Sequence, residues 1–331
     1  MGKQSSNLVM SLGVLVLLAL SGSVAGHWGY EGEGGPDHWA ETSPECAGSS
    51  QSPIDVKTGD AKFDADLKDF DIIPEITEDT ATTIVNNGHT MVMTTSAQVL
   101  VSGGGFPETY KVAQAHMHWG SNNKVGSEHT VDATAFPMEM HIVTYNFEKY
   151  SSVVEAEGLG PVLGSGDASG LAVLGIFFSL SANDNPQLEP LLAHMDAIHA
   201  AGSNPVTISD FHMWDLLPSS TRNFYRYSGS LTTPTCNEVV AWTLFEEKNT
   251  ISEAQLNRLR SLHDDFDAPL QDNYRPVMPM NGRTLTASFK TPSYEVDDDD
   301  TSIEDLDGGA AQTTVTVLLP SLLLSVLYRF M

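Results

Sequence analysis

Residues 114–120 read Gln-Ala-His-Met-His-Trp-Gly, and residues 139–141 read Glu-Met-His. Both stretches predict strands, in which side chains two residues apart share a face. Two neighbouring strands would then bring His116, His118 and His141 together. Three neutral imidazoles leave one position of a tetrahedral Zn²⁺ open for water, which is typical of catalytic rather than structural zinc. On spacing alone, surface or packing histidines are an equal alternative.

Further apolar runs bounded by Gly, Asn or Pro predict a mainly β domain. The predicted strands cover residues 82–85, 91–95, 110–119, 138–145, 171–180 and 239–245. Two helices are predicted: one over residues 187–200, before Gly202, and one over residues 252–262, where Ser252 and Gln255 have the spacing of a capping box. We expect a large, mostly antiparallel and twisted central sheet with a few short peripheral helices.

The N-terminus has the pattern of a secretory signal peptide. Lys3 precedes the apolar run of residues 8–20, and the small residues 23–25 offer a cleavage site. We therefore expect residues 1–25 to be removed and the catalytic domain to span residues 26–293. The opening Met-Gly-Lys-Gln-Ser-Ser also fits the myristoylation pattern, but the apolar run that follows it favours secretion.

The C-terminus has the order of a glycosylphosphatidylinositol attachment signal. Residues 294–311 form an acidic stalk that ends in small residues, and residues 312–331 are apolar but include Pro320 and Arg329. A spanning helix needs about 20 apolar residues, more than this tail provides. We expect attachment between residues 305 and 311, removal of the tail, and anchoring at the outer cell surface. A short transmembrane anchor and full secretion remain alternatives.

Cysteine content and charge agree with export and limit the partners. Cys46 and Cys236 are the two cysteines among 331 residues, and an even count in a secreted chain favours a disulfide over two free thiols. The net charge of −27 comes from 43 acidic and 16 basic side chains. Because this charge repels phosphate backbones, nucleic acid is not an expected partner.

Eight motifs occur in one order along the chain. They are His27-Trp28-Gly29-Tyr30, Gln51-Ser52-Pro53-Ile54-Asp55, Asn86-Asn87-Gly88-His89, the two histidine stretches taken together, Ser127-Glu128-His129, Gly170-Leu171-Ala172-Val173-Leu174-Gly175, Gly229-Ser230-Leu231-Thr232-Thr233-Pro234 and Asn273-Tyr274-Arg275-Pro276. Together they resemble the alpha-class carbonic anhydrases of the secreted or membrane-anchored type, over essentially the whole expected domain.

The resemblance implies an enzyme that reversibly hydrates CO₂ to bicarbonate and a proton by attack of zinc-bound hydroxide. The implied Zn²⁺ ligands are His116, His118 and His141, and their implied hydrogen-bond acceptors are Gln114, Glu139 and the backbone of Asn273. Sulfonamides and anions are expected inhibitors. Cys46 and Cys236 match the disulfide of the family's secreted and membrane-bound members.

The resemblance also implies roles for residues around the metal. Thr232 would hydrogen-bond to Glu128 and so orient the hydroxide, and His89 would carry the proton away. The implied substrate pocket consists of Val143, Val173, Leu231, Thr233 and Trp242, and Tyr30, Asn87 and Gln114 would order water. Val92 departs from the family pattern, which has a polar side chain there, so its effect on the proton relay is an open question.

Two other classes share part of this pattern. A catalytically silent relative acting as a binding ectodomain would lose zinc histidines, whereas this chain keeps all of them. A cupin-type metal oxidase also has His-x-His, an acidic residue and a later His on a β scaffold. The turn of residues 231–234 and His89 have no place in a cupin.

Overall fold

Alternation of buried and less buried side chains explains the strands. In the strand Thr82–Asn86 the side chains of Thr82, Ile84 and Asn86 are buried, while those between them are half-buried. The computed structural model describes residues 28–159 and 170–291. The expected signal peptide, stalk and anchor signal lie outside these residues. Within them, no helix is long and apolar enough to cross a membrane.

The strands of the described residues, in chain order, are β1 (Asp55–Val56), β2 (Lys62–Phe63), β3 (Phe70–Pro74), β4 (Thr82–Asn86), β5 (Met91–Thr95), β6 (Val99–Gly103), β7 (Tyr110–Trp119), β8 (Thr130–Val131), β9 (Met138–Tyr145), β10 (Leu171–Ser181), β11 (Val206–Ile208), β12 (Phe224–Gly229), β13 (Val240–Phe245), β14 (Asn249–Ser252) and β15 (Thr286–Ala287). All six predicted strands are confirmed, each within one residue at either end.

The main sheet has the order β11-β4-β5-β7-β9-β10-β13-β12-β15-β2. In addition, β14 pairs with β10, and β6 pairs with both β7 and β3. Most neighbours are antiparallel, as expected, but β10 is parallel to β13 and β14, and β15 is parallel to β2. The sheet is therefore mixed. Parallel neighbours need long crossovers, and the chain between β10 and β13 supplies one.

The helices are α1 (Trp39–Thr42), α2 (Val153–Ala156), α3 (Glu189–Leu192) and α4 (Glu253–Leu259), with 3₁₀ turns at Gly32–Gly34, Pro44–Ala47, Thr58–Asp60, Met195–Ile198 and Met213–Leu216. The predicted capping box is confirmed, since Ser252 and Gln255 each bond to the other's backbone N–H at the start of α4. This helix ends three residues earlier than predicted.

The single helix predicted over residues 187–200 is wrong. The segment instead contains α3 and a separate 3₁₀ turn. Leu192, Met195 and Ile198 are buried at intervals of three residues, which fits the three-residue period of a 3₁₀ turn better than a continuous α-helix. The apolar rhythm correctly marked a buried face but not the type of helix.

Opposite faces of the central strands pack into two cores. Met117 of β7, Met140 of β9 and Ile176 of β10 belong to one core, whereas Val143 of β9 and Val173 of β10 belong to the other. The histidine side chains of β7 and β9 share the face of the second core. Burial on both sides fixes these strands, because moving one would disturb packing on both faces.

Cys46 and Cys236 form the expected disulfide, across a sequence separation of 190 residues. The bridge packs with Trp39, and Trp28 and Tyr30 lie against this cluster. A disulfide typically stabilises a fold by about 2–4 kcal/mol. This one ties the N-terminal segment to the loop that carries Thr232.

Candidate metal centre

Register between β7 and β9 brings the three histidines together. His116 lies directly opposite His141, and His118 lies opposite Glu139. A β-bulge between Val112 and Gln114 resets the alternation of β7 just before the first histidine. As predicted, two neighbouring strands supply all three imidazoles.

Each imidazole donates one N–H to a fixed acceptor. The donor–acceptor distances are 3.0 Å from His116 Nδ1 to Gln114 Oε1, 2.7 Å from His118 Nδ1 to the carbonyl of Asn273, and 2.8 Å from His141 Nε2 to Glu139 Oε1. Carbonyl and carboxylate oxygens only accept hydrogen bonds, so these ring nitrogens carry the protons. The opposite nitrogen of each neutral ring therefore carries a lone pair.

The three lone pairs converge. His116 Nε2 and His141 Nδ1 are 3.3 Å apart, and the ligand atoms of all three histidines lie within 4.8 Å of one another. His118 Nε2 is buried and has no hydrogen-bond partner among the described residues. Facing lone pairs repel each other unless a cation lies between them. The residues therefore fit a Zn²⁺ ion with three nitrogen ligands.

Burial favours the neutral form of His116 and His118. Desolvation lowers the pKa of His116 well below its usual value, and the neighbouring His118 and His141 lower it further. Desolvation also lowers the pKa of His118, although the charge of Glu128 opposes this. Neutral imidazole is the form that binds a metal ion.

Glu139 is fully hydrogen-bonded. Its Oε1 accepts from His141 Nε2 and from His129 Nδ1 at 2.7 Å, and its Oε2 accepts from the backbone N–H of His129 at 2.8 Å. Burial opposes the charge on Glu139, but His129 and His141 outweigh it and hold the pKa of this carboxyl well below its usual value. N–H donors thus occupy both oxygens of Glu139, and one of these donors is the candidate ligand His141.

Glu128 is only half satisfied. Its Oε1 accepts from the backbone N–H of Arg275 at 2.9 Å. Its Oε2 is buried, has no hydrogen-bond partner among the described residues, and lies 3.4 Å from His118 Nε2. The expected hydrogen bond from Thr232 to this oxygen is thus not formed, because Oε2 is turned towards the ligand nitrogens. A negative oxygen beside their lone pairs again fits a cation at this position.

The expected pocket residues line one side of the histidines. Val173 of β10 pairs with Val143 of β9 and with Trp242 of β13, and all three are buried. The Trp242 ring lies 4.7 Å from that of His141, measured between centroids. Leu231 and Thr233 are half-buried on the loop between β12 and β13. The wall beside the candidate metal site is therefore apolar.

His89 lies on the turn between β4 and β5. Asn87 Oδ1 shapes this turn by accepting from the backbone N–H groups of His89 and Thr90. The His89 ring stacks on Trp28, with centroids 3.9 Å apart and planes inclined by 12°. Val92 on β5 pairs with His116 on β7, so this apolar side chain lies beside a candidate ligand.

Tyr30 keeps its proton in this region. Burial raises the pKa of Tyr30 well above its usual value, and the charge of Glu128 raises it further. Its ring meets Trp28 and Trp39 edge to face. The hydroxyl therefore remains a neutral hydrogen-bonding group near Glu128.

Sequence reasoning gave no role to His129, Tyr227, Ser52 or the side chain of Arg275. The hydroxyl of Tyr227 lies 2.6 Å from His129 Nε2 and 2.8 Å from Ser52 Oγ, which extends the Glu139 contacts into a buried chain. The Arg275 guanidinium donates to the carbonyls of Ser52 and Cys46. Ser52, His129 and Arg275 lie within the recognised motifs, but Tyr227 carries no local signal, and these contacts span many residues.

Comparison with known proteins agrees with this geometry. The family model described as eukaryotic-type carbonic anhydrase matches residues 34–289. Carbonic anhydrase 1 of Mus musculus is 38% identical over 269 residues, which cover 79% of this chain and 98% of that protein. Carbonic anhydrase 3 of Homo sapiens is 36% identical over 274 residues, or 81% of this chain and 100% of that protein. This similarity extends well beyond the histidine strands, and the chain belongs to the eukaryotic-type carbonic anhydrase family.

Proposed function

We propose that this carbonic anhydrase hydrates CO₂ reversibly with a Zn²⁺ ion held by His116, His118 and His141. The convergence of three imidazole lone pairs in a buried site carries this proposal. When bound, Zn²⁺ lowers the pKa of a water molecule to about 7, a value taken from carbonic anhydrases themselves, and so makes a nucleophile available at neutral pH.

Glu128 and Thr232 would orient the nucleophile. Glu128 Oε2 is a buried acceptor for which the described part of the chain offers no donor, and the other oxygen, Oε1, is fixed by the backbone N–H of Arg275. Thr232 is buried on the loop that the disulfide holds. We propose that the Thr232 hydroxyl donates to Oε2 in the active enzyme. With its own proton donated to Oε2, the threonine oxygen could only accept a hydrogen bond from the nucleophile, which would fix the nucleophile's orientation.

The apolar wall would hold the substrate. CO₂ is uncharged and linear, so it can lie against Val143, Val173 and Trp242 without a polar partner. Leu231 and Thr233 would close the same pocket from the loop. Exclusion of water there strengthens the hydrogen bonds that orient the nucleophile.

His89 would carry the released proton to solvent. Imidazole exchanges protons readily near neutral pH, and the His89 ring is half-buried at the end of β4 rather than enclosed by the sheet. Replacing His89 with Ala is expected to slow turnover at saturating CO₂, with rescue by added imidazole. Interconversion of bound CO₂ and bicarbonate should be nearly unchanged. Full turnover in weak buffer would refute the role.

The decisive experiment is stopped-flow CO₂ hydration by the purified protein, with its metal content measured on the same sample. We expect about one zinc per chain, loss of hydration when a chelator removes it, and inhibition by a zinc-binding sulfonamide. Absence of sulfonamide-sensitive hydration in zinc-loaded protein would refute the proposal. Absence of both metal and hydration would favour a binding module.

We also propose export and a glycosylphosphatidylinositol anchor at the cell surface. The terminal sequence patterns support this, and the disulfide is typical of an oxidising compartment. Phosphatidylinositol-specific phospholipase C should release the protein from intact cells. Retention on the membrane after that treatment would favour the transmembrane alternative, and presence in the medium without treatment would favour full secretion.

A further inference from the structure

We propose that His199 and His263, together with Asp265, form an outer station that passes protons between His89 and buffer molecules in solution. This inference rests on the proposed function. It assigns a use to a pair of histidines that lies outside the metal centre.

The two histidines form a fixed pair. Their ring centroids are 4.2 Å apart, and the backbone N–H of His263 donates to the carbonyl of His199 at 2.8 Å. Asn86 Nδ2 donates to both carbonyls, at 3.1 Å for His199 and 2.8 Å for His263. Asn86 is the last residue of β4 and precedes His89 by three residues. Backbone contacts therefore anchor the pair to the turn that carries His89.

Asp265 lies against the turn that carries His89. A Cβ placed on Gly88 would come within 2.7 Å of the Asp265 carboxylate, so that carboxylate lies directly against the residue that precedes His89. Asp265 also follows His263 by only two residues. A carboxylate at this position can accept hydrogen bonds from water molecules between the turn and the histidine pair.

The surroundings of the pair are acidic and open to solvent. His263 Nδ1 lies 2.9 Å from Asp267 Oδ1, and this hydrogen bond, with the nearby charge of His263, lowers the pKa of Asp267. His199 is exposed, and the His263 side chain is 27% exposed. Both rings can thus meet water and buffer, unlike the buried metal-site histidines.

The proposed transfer involves protons only. A proton leaves the imidazolium of His89, moves through water to a neutral imidazole of the pair, and leaves from there to a buffer base. Nothing is oxidised or reduced, and each imidazole returns to its neutral form. The step should matter only when buffer is too dilute to collect protons from His89 directly.

The test is the double variant His199→Gln/His263→Gln, measured by CO₂ hydration and by ¹⁸O exchange. In weak buffer, kcat and the release of labelled water should fall about two- to fivefold, while kcat/KM stays unchanged. High imidazole should restore kcat. Because the anchoring bonds use backbone atoms, the replacements leave them in place. Asp265→Asn should lower kcat in the same conditions, but less.

The matched control is His212→Gln. His212 follows Phe211, whose carbonyl accepts from Thr82 at the opposite end of β4, about 13 Å of strand away from Asn86. Its replacement should not change kcat in weak buffer.

Unchanged kcat in the double variant would overturn the outer station but leave the proposed function intact. If kcat/KM of the double variant fell by the same factor at every buffer concentration, the two histidines would have a structural role, and the outer station would again be overturned. Failure of the unmodified protein to hydrate CO₂ would refute the proposed function itself.

Discussion

Two buried carboxylates, Glu128 and Glu139, lie beside the same histidines but differ in their hydrogen bonds. Both are almost inaccessible to solvent. Three N–H donors occupy Glu139, whereas Glu128 has one backbone donor and an oxygen that has no partner among the described residues. A buried acceptor without a donor costs about 1–3 kcal/mol, and more when charged. The difference supports our proposal that Glu139 fixes a metal ligand, while Glu128 keeps an acceptor position for the reaction.

The largest effect is expected for Glu128→Gln. Since one oxygen must still accept from the Arg275 N–H, the amide would place its NH₂ donor where Thr232 needs an acceptor. We expect kcat/KM for CO₂ to fall about 10²–10³-fold, similar to the loss of a single oriented donor in other enzymes. Zinc content, measured in parallel, should stay at the level of the unmodified protein. Full activity with normal zinc would show that Oε2 does not orient the nucleophile.

Glu139→Gln should act on the metal instead. A glutamine offers one oxygen to three donors, so its NH₂ would oppose His129 or His141. We expect zinc affinity to fall about 10–100-fold, measured by competition with a chelator. At saturating zinc, kcat/KM should fall much less than in Glu128→Gln. An equal loss at saturating zinc would remove the distinction between the two carboxylates.

The candidate metal ligands could be predicted from the sequence because their pattern is local. The alternation of His116 and His118 on one strand, with a following strand carrying His141, is visible without a structure. The contact of His129 with Tyr227 joins residues 98 apart in the chain, and that of His129 with Glu139 joins a loop residue to β9, so no strand periodicity could indicate them. The orientation of Glu128 depends on a long-range contact, the backbone N–H of Arg275, which lies 147 residues away in the chain. Family resemblance suggested its partner but not this geometry.

The helix predicted over residues 187–200 failed for a different reason. Its apolar positions fit both an α-helix and a shorter α-helix followed by a 3₁₀ turn, because both periods bury residues three apart. Strands were easier to place, since burial against two cores gives them long apolar runs with sharp ends. The type of helix there depends on packing that the sequence does not display.

Glu157, at the end of α2, is a third carboxylate for comparison. Its side chain has neither a hydrogen-bond donor nor a cation beside it among the described residues. Burial alone raises the pKa of Glu157 from its ordinary value of 4.5 to about 7. The folded state therefore binds a proton more tightly than the unfolded state, and this contribution to stability is complete below about pH 4.5 and is lost as pH rises through about 7. Above pH 8, Glu157→Gln should raise the free energy of unfolding by about 1–2 kcal/mol, measured in urea. Below pH 4.5 the two proteins should be equally stable, and a pH-independent difference would contradict this explanation.

The smallest effect is expected for Tyr227→Phe. This variant tests whether the Tyr227 hydroxyl, which contacts His129, influences the orientation of Glu139. Burial raises the pKa of Tyr227 well above its usual value, so its hydroxyl keeps the proton, donates to Ser52 Oγ and lies 2.6 Å from His129 Nε2. Removing this hydroxyl should lower the free energy of unfolding by about 1 kcal/mol, measured in urea. His129 would still be held to Glu139 by its Nδ1–H and backbone N–H. Zinc affinity should therefore change by no more than about threefold, far less than for Glu139→Gln. A loss of zinc as large as in Glu139→Gln would mean that Tyr227, rather than the two His129 donors, sets the orientation of this carboxylate.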